Sequence, residues 1–111
     1  MFKYIITLLV MFLSLPCYAQ TCFFSESVSV GSTSANAIHA TALAEPNLIG
    51  VFVSVETSSI RYWISGTTPT STIGHILYPE NSCYISGINN CRNLSYISVG
   101  TSSVSLSYFR R

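Results

Sequence analysis

Apolar and polar residues alternate with a period of two through most of the chain, and Gly, Pro or Asn breaks the alternation at short intervals. Successive side chains of a β-strand point to opposite faces, so this pattern predicts short, half-buried strands joined by turns. Residues Phe24 to Val30 read F-S-E-S-V-S-V, with Phe24, Val28 and Val30 on one face, serines on the other, and Gly31-Ser32 as the stop. Ala37 to Leu43 alternates more weakly, and its alanines also suit a helical turn. After the turn Glu45-Pro46-Asn47, Leu48 to Val55 is apolar on nearly both faces, as a central strand of a sandwich would be. Ser58 to Ser65, Thr72 to Tyr78 and Ser82 to Ser86 continue the series, and Gly74 marks a bulge or a close backbone approach. Leu94 to Val99 and Val104 to Phe109 complete the eight expected strands, joined at Gly100-Thr101 as a hairpin. Gly66 to Ser71 is polar and reads as an exposed loop. No segment carries a helical stripe and no linker divides the chain. The expected fold is all-β: a single-domain antiparallel β-sandwich or jelly roll of about eight short strands over residues 20–111.

Residues 1–19 read differently. Lys3 precedes an apolar run from Tyr4 to Leu15, followed by Pro16 and the small Ala19, which is the layout of a secretory signal peptide cleaved after Ala19. The run is well short of the roughly 20 residues a bilayer-spanning helix needs, so no stable membrane span is expected after cleavage. Cys17 follows Pro16 where lipoprotein processing expects a small residue, which argues against a lipid anchor. The expected location is secreted, periplasmic or at the cell surface.

Composition narrows the chemistry. The chain is 49% hydrophobic and 8% charged, with a net charge of +1. It has no Asp, and no Lys after residue 3. From Gln20 onward Arg61, Arg92, Arg110 and Arg111 balance Glu26, Glu45, Glu56 and Glu80, while 27 of 92 residues are Ser or Thr. Nothing here makes a basic field for nucleic acid. A Ser-His-Asp triad, a Schiff-base lysine and a lysine-bearing phosphate loop are excluded, and no serine lies in G-x-S-x-G. The glutamates read as solvated residues near strand ends and turns. His39 and His75 sit singly in strands, where hydrogen-bonded structural histidines are usual. No enzyme is expected; the narrowest enzymatic reading is a hydrolase pairing His75 with a glutamate. Without C-x-x-C or histidine ligand spacing, no metal and no cofactor is expected.

Cys22, Cys83 and Cys91 remain in the exported part. An oxidising compartment favours one disulfide, and of three possible pairings Cys83 with Cys91 closes a short loop, a gain of roughly 2.5 kcal/mol in the chain-entropy model. Cys22 is then the odd thiol. The candidate recognition residues are Arg61 and Trp63, on one face of their strand, with Thr67, Thr68 and Thr70 of the adjoining loop and His75 beyond it. A buried Trp63 makes this region core; an exposed one makes it a glycan-binding surface.

The stretches S-I-R-Y-W-I-S-G-T-T-P-T-S-T-I-G-H-I-L at 59–77, P-E-N-S-C-Y-I-S-G after them, and the close S-L-S-Y-F-R resemble a group of small virion structural proteins of tailed phages and prophages. Val28-Ser29-Val30-Gly31 resembles the group's opening strand. The resemblance implies a non-enzymatic β-rich subunit or surface decoration, with partners that are further copies of itself or a surface or virion component. The export signal and the Cys83/Cys91 pair depart from that group. From another class, a small carbohydrate-binding module or adhesin-like domain is the alternative, with a glycan as its partner.

Overall fold

The computed structural model describes residues 20–111; the expected signal peptide, residues 1–19, lies outside the described residues. Eight strands form: β1 (Thr21–Val30), β2 (Asn36–Ala37), β3 (Leu48–Val55), β4 (Ile60–Trp63), β5 (His75–Leu77), β6 (Ser82–Ser86), β7 (Ser95–Ser98) and β8 (Ser102–Arg110). They make two antiparallel four-stranded sheets, ordered β1-β8-β3-β6 and β2-β7-β4-β5. The pairings are nested: β1 with β8, β2 with β7, β3 with β6, β4 with β5. The chain is thus one long hairpin with its tip at the β4–β5 loop. Rolling it up adds the pairs β3·β8 and β4·β7, which is the jelly-roll arrangement.

The rolled hairpin overturns the expected C-terminal hairpin. β7 and β8 lie in different sheets, and the turn at Gly100 carries the chain across the sandwich. Period two assigns faces, but the same alternation serves a hairpin or a crossing. Two short helical elements also replace expected strand and loop. α1 (Ala40–Leu43) follows the two-residue β2 and is capped by His39, whose Nδ1 accepts the Thr41 N–H at 3.1 Å. α2 (Ile88–Arg92) begins after Gly87, which has φ +94°.

The core lies between the sheets. Val30, Val51, Val53, Val55, Val104, Leu106 and Tyr108 from the first sheet meet Ile60 and Tyr96 from the second, with Ile38, Ala42, Leu48, Cys91 and Leu94 closing the sides. β3 is flanked by β8 and β6, as its nearly continuous apolar run requires.

The Cys83–Cys91 disulfide does not form: Cys22, Cys83 and Cys91 are all free thiols. Cys91 sits on α2 and its buried Sγ–H donates to the Ile85 carbonyl at 3.3 Å. Cys83 lies two residues before Ile85 on β6, where its thiol interacts with the Tyr62 hydroxyl. Spacing along the chain allowed a bridge; α2 turns the two thiols toward different neighbours. Burial pushes the Cys91 thiol up from 9.0 to about 11, and raises that of Cys83 as well. Cys22 is exposed at the start of β1.

Candidate functional surface

The residues singled out from the sequence do not converge on one open site. Arg61 points away from the core, but Nε donates to the Ser71 carbonyl at 3.3 Å and Nη1 to the Gly74 carbonyl at 3.0 Å. Its guanidinium ties the β4–β5 loop onto the outer face of the second sheet. The loop is seated there by Pro69, which is fully buried, and by Gly74, where φ is +132° and a Cβ would crowd Arg61, Pro69 and the Tyr62 backbone at 3.2–3.3 Å. Gly74 is the close approach that its place in the sequence announced. Ile97, on the same outer face, is 5% exposed yet stands outside the main core cluster, as a satellite layer covered from outside would. Trp63 is half-buried, its ring edge-on to His75 at 4.9 Å and its Nε1–H buried with no hydrogen-bond partner. His75 also touches Tyr62 at 5.5 Å, so its ring packs among aromatics. Thr67, Thr68 and Thr70 are exposed; the Thr67 and Thr70 hydroxyls bond within the loop, to Ser65 and Thr72.

A polar group missed from the sequence lies inside the sandwich. Glu26 follows the parity of Phe24, Val28 and Val30 and turns inward, where Oε1 accepts the Tyr108 hydroxyl at 2.6 Å. That hydroxyl accepts the His39 backbone N–H at 3.2 Å, and Phe24 packs on both His39 and Tyr108. Burial, with Glu26 adding to it, holds the Tyr108 phenol far above its usual range. Tyr96 is buried with its hydroxyl unpaired, and burial and then Glu26 push it up to about 12, with Asn36, its partner across the strands, the one lowering influence. The signal was the parity of Glu26; its charge argued the other way. Among the described residues no group of three or more His, Cys, Asp or Glu is placed to hold a metal ion, and no helix is long and apolar enough to cross a membrane.

The outer face of the first sheet is open. Register places Ser27, Ser105, Ser54 and Ser82 in one row across all four strands, and Ser25, Ser107, Phe52 and Tyr84 in the next. Ser29 and Ser103 lie beyond one row, Phe109, Gly50 and Ser86 beyond the other. The two central rows hold no charged side chain; Glu56, whose N–H bonds the Ser103 carbonyl at 3.1 Å, closes the outermost row. Serine hydroxyls bond across strands, Ser25 to Ser107 at 3.2 Å and Ser27 to Ser103 at 3.4 Å. Tyr84 lies across Gly50, where any Cβ would collide with its ring and hydroxyl, and meets Phe109 edge-on at 5.9 Å. Phe52 and Tyr84 remain 40% and 41% exposed. The middle of the surface is an uncharged hydroxyl field around an aromatic patch.

The two ends of the sandwich differ. Around the β3 N-terminus Arg110 pairs with Glu45 at 3.2 Å, Arg92 donates to the Glu45 carbonyl at 3.5 Å, and the Arg111 N–H bonds Asn47. A cavity of about 550 Å³ opens there, walled by Gln20, Pro46, Leu48, Ile49, Ile88 and Arg111. Compared with known proteins, the chain matches no family model and no curated protein.

Proposed function

We propose that the protein is an exported, non-enzymatic structural or binding subunit that works through the outer face of its β1-β8-β3-β6 sheet. The single observation that carries this is the contrast between the sheets: the second carries its own loop, while the first leaves uncovered a broad face whose central rows hold no charge. Covering such a face requires no desolvation of ions. Aromatic rings supply contact area and serine hydroxyls adaptable hydrogen bonds, the same division of labour as in antibody paratopes. Together with the resemblance of residues 59–111 to small virion subunits, this favours a further copy of the chain or a surface component as the partner. The ten-residue edge strand β1 contains neither Lys nor Pro, and its guards against pairing are the inward Glu26 and the irregularity between Cys22 and Phe24.

A carbohydrate-binding module is the second reading, and the exposed Phe52 and Tyr84 beside serine hydroxyls favour it over any use of Trp63. Light scattering over a concentration series tests the first. At an ionic strength of about 1 M, where charge pairing between the ends is screened, the wild type is expected to keep species heavier than one chain, and Phe52→Glu, which plants a charge in the middle of the face, to lose them. A wild type that stays a single chain at every concentration overturns self-association; retention on insoluble neutral polysaccharide that Phe52→Glu abolishes then establishes the glycan reading.

A further inference from the structure

The charges of this neutral domain are segregated. At the β3 N-terminus Arg92 and Arg110 bond Glu45, and Arg111 is tied to Asn47 by its backbone N–H, so that end carries three positive side chains against one negative. At the β3 C-terminus Glu56 and Glu80 are exposed; the Glu80 N–H bonds the Val55 carbonyl at 2.8 Å and the Glu56 N–H the Ser103 carbonyl at 3.1 Å. Eight residues of strand separate the two groups by about 24 Å at roughly 3.4 Å per residue.

The shapes of the ends differ in a matching sense. The positive end holds the cavity of about 550 Å³, with apolar walls from Leu48, Ile49 and Ile88 and Arg111 at its margin. The negative end carries a knob, the turn Tyr78-Pro79-Glu80. Tyr78 is 56% exposed, and Glu80 is the one described non-glycine residue at positive φ, +67°. The turn is held firmly: the Asn81 N–H bonds Tyr78 and the Val55 N–H bonds Asn81, at 3.2 and 3.1 Å. A left-handed residue kept in place by the sheet is strain of the kind that collects at working surfaces.

We infer that copies of this chain stack head to tail, the Tyr78-Pro79-Glu80 knob of one entering the arginine-rimmed cavity of the next. Glu80 and Glu56 meet the arginines, and Tyr78 meets the apolar wall. The interface is heterologous, so it propagates into a ring or a filament. It leaves the serine face of every copy free, and so goes beyond the face reading and stands or falls apart from it.

The test is light scattering of the purified protein at ionic strengths of about 0.01 M and about 1 M, where charges reach roughly 30 Å and 3 Å. The wild type is expected to form a concentration-dependent series of species at low salt and to lose most of it at high salt. Glu80→Lys leaves the negative end with no net charge, and the pair Arg92→Glu with Arg111→Glu makes both ends negative. Each variant alone is expected to lack the salt-sensitive species, and an equimolar mixture to regain salt-sensitive association, which misfolded variants would not do. Salt-sensitive association that Glu80→Lys leaves intact, a mixture that does not regain it, or a wild type of the same mass at both ionic strengths overturns the inference. Phe52→Glu is expected to leave this salt-sensitive series unchanged.

Discussion

Two buried tyrosines separate what a hydroxyl does from what a ring does. Tyr108 donates to Glu26 and accepts from the His39 backbone, so Tyr108→Phe leaves an inward carboxylate and an N–H without partners. A loss of about 1.5–3 kcal/mol is expected, the range for a hydrogen bond to a charged group. Tyr96 contributes the same ring with an unpaired hydroxyl, so Tyr96→Phe is expected to be neutral or stabilising by about 1 kcal/mol. Urea unfolding of both variants checks the pair, and equal losses would contradict it. The raised phenol and thiol values also fix the alkaline limb. Folding holds the proton of Cys91 to about pH 11 and of Tyr96 to about pH 12, whereas the unfolded chain releases them near 9 and 10. Their contribution is intact below pH 9 and drains away as pH rises from 9 to 12, and Tyr96→Phe is expected to flatten the upper part of that decline. Glu26 shows why this cluster was hidden in the sequence: its position along F-S-E-S-V-S-V points inward, but the phenol that makes this tolerable lies 82 residues away.

At the level of elements, period two carried the strands and their faces. β3 and β6 match the expected limits, and the predicted serine face of residues 24–30 is the open face of the sheet. Partners were not legible, because alternation says which side a residue faces and nothing about which strand lies beside it. α2 was missed and α1 was legible only as the alternative to a strand, because at five and four residues they are too short to show a helical stripe. The Arg61-Trp63 region was legible as a special place but not as what it is. Its arginine clamps the loop that Gly74 and Pro69 seat, a structural task that occupies Nε and Nη1. Arg61→Ala is therefore expected to cost about 1 kcal/mol or more and to speed protease cleavage within residues 66–74. Arg61→Lys should restore little, since a single ammonium lacks the planar fork that spans two carbonyls. Unchanged cleavage in Arg61→Ala would show the loop to be held by packing alone.

On the scale of the whole molecule, the jelly roll leaves three surfaces of different character: a loop-covered face, a serine and aromatic face uncharged in its central rows, and a pair of oppositely charged ends. A fold of this kind serves many activities, so function has to be argued from these surfaces and not from the fold. The central claim is that the serine face is the one that a partner covers. Hydroxyl-radical footprinting of dilute and concentrated protein reads this residue by residue, because Phe52, Tyr84, Ile73 and Tyr78 are all exposed in the single chain. The account predicts that oxidation of Phe52 and Tyr84 falls sharply on association while Ile73, on the loop-covered side, stays as reactive as before; protection of Tyr78 reports the stacked ends separately. Phe52 and Tyr84 that remain fully reactive in associated protein would contradict the claim.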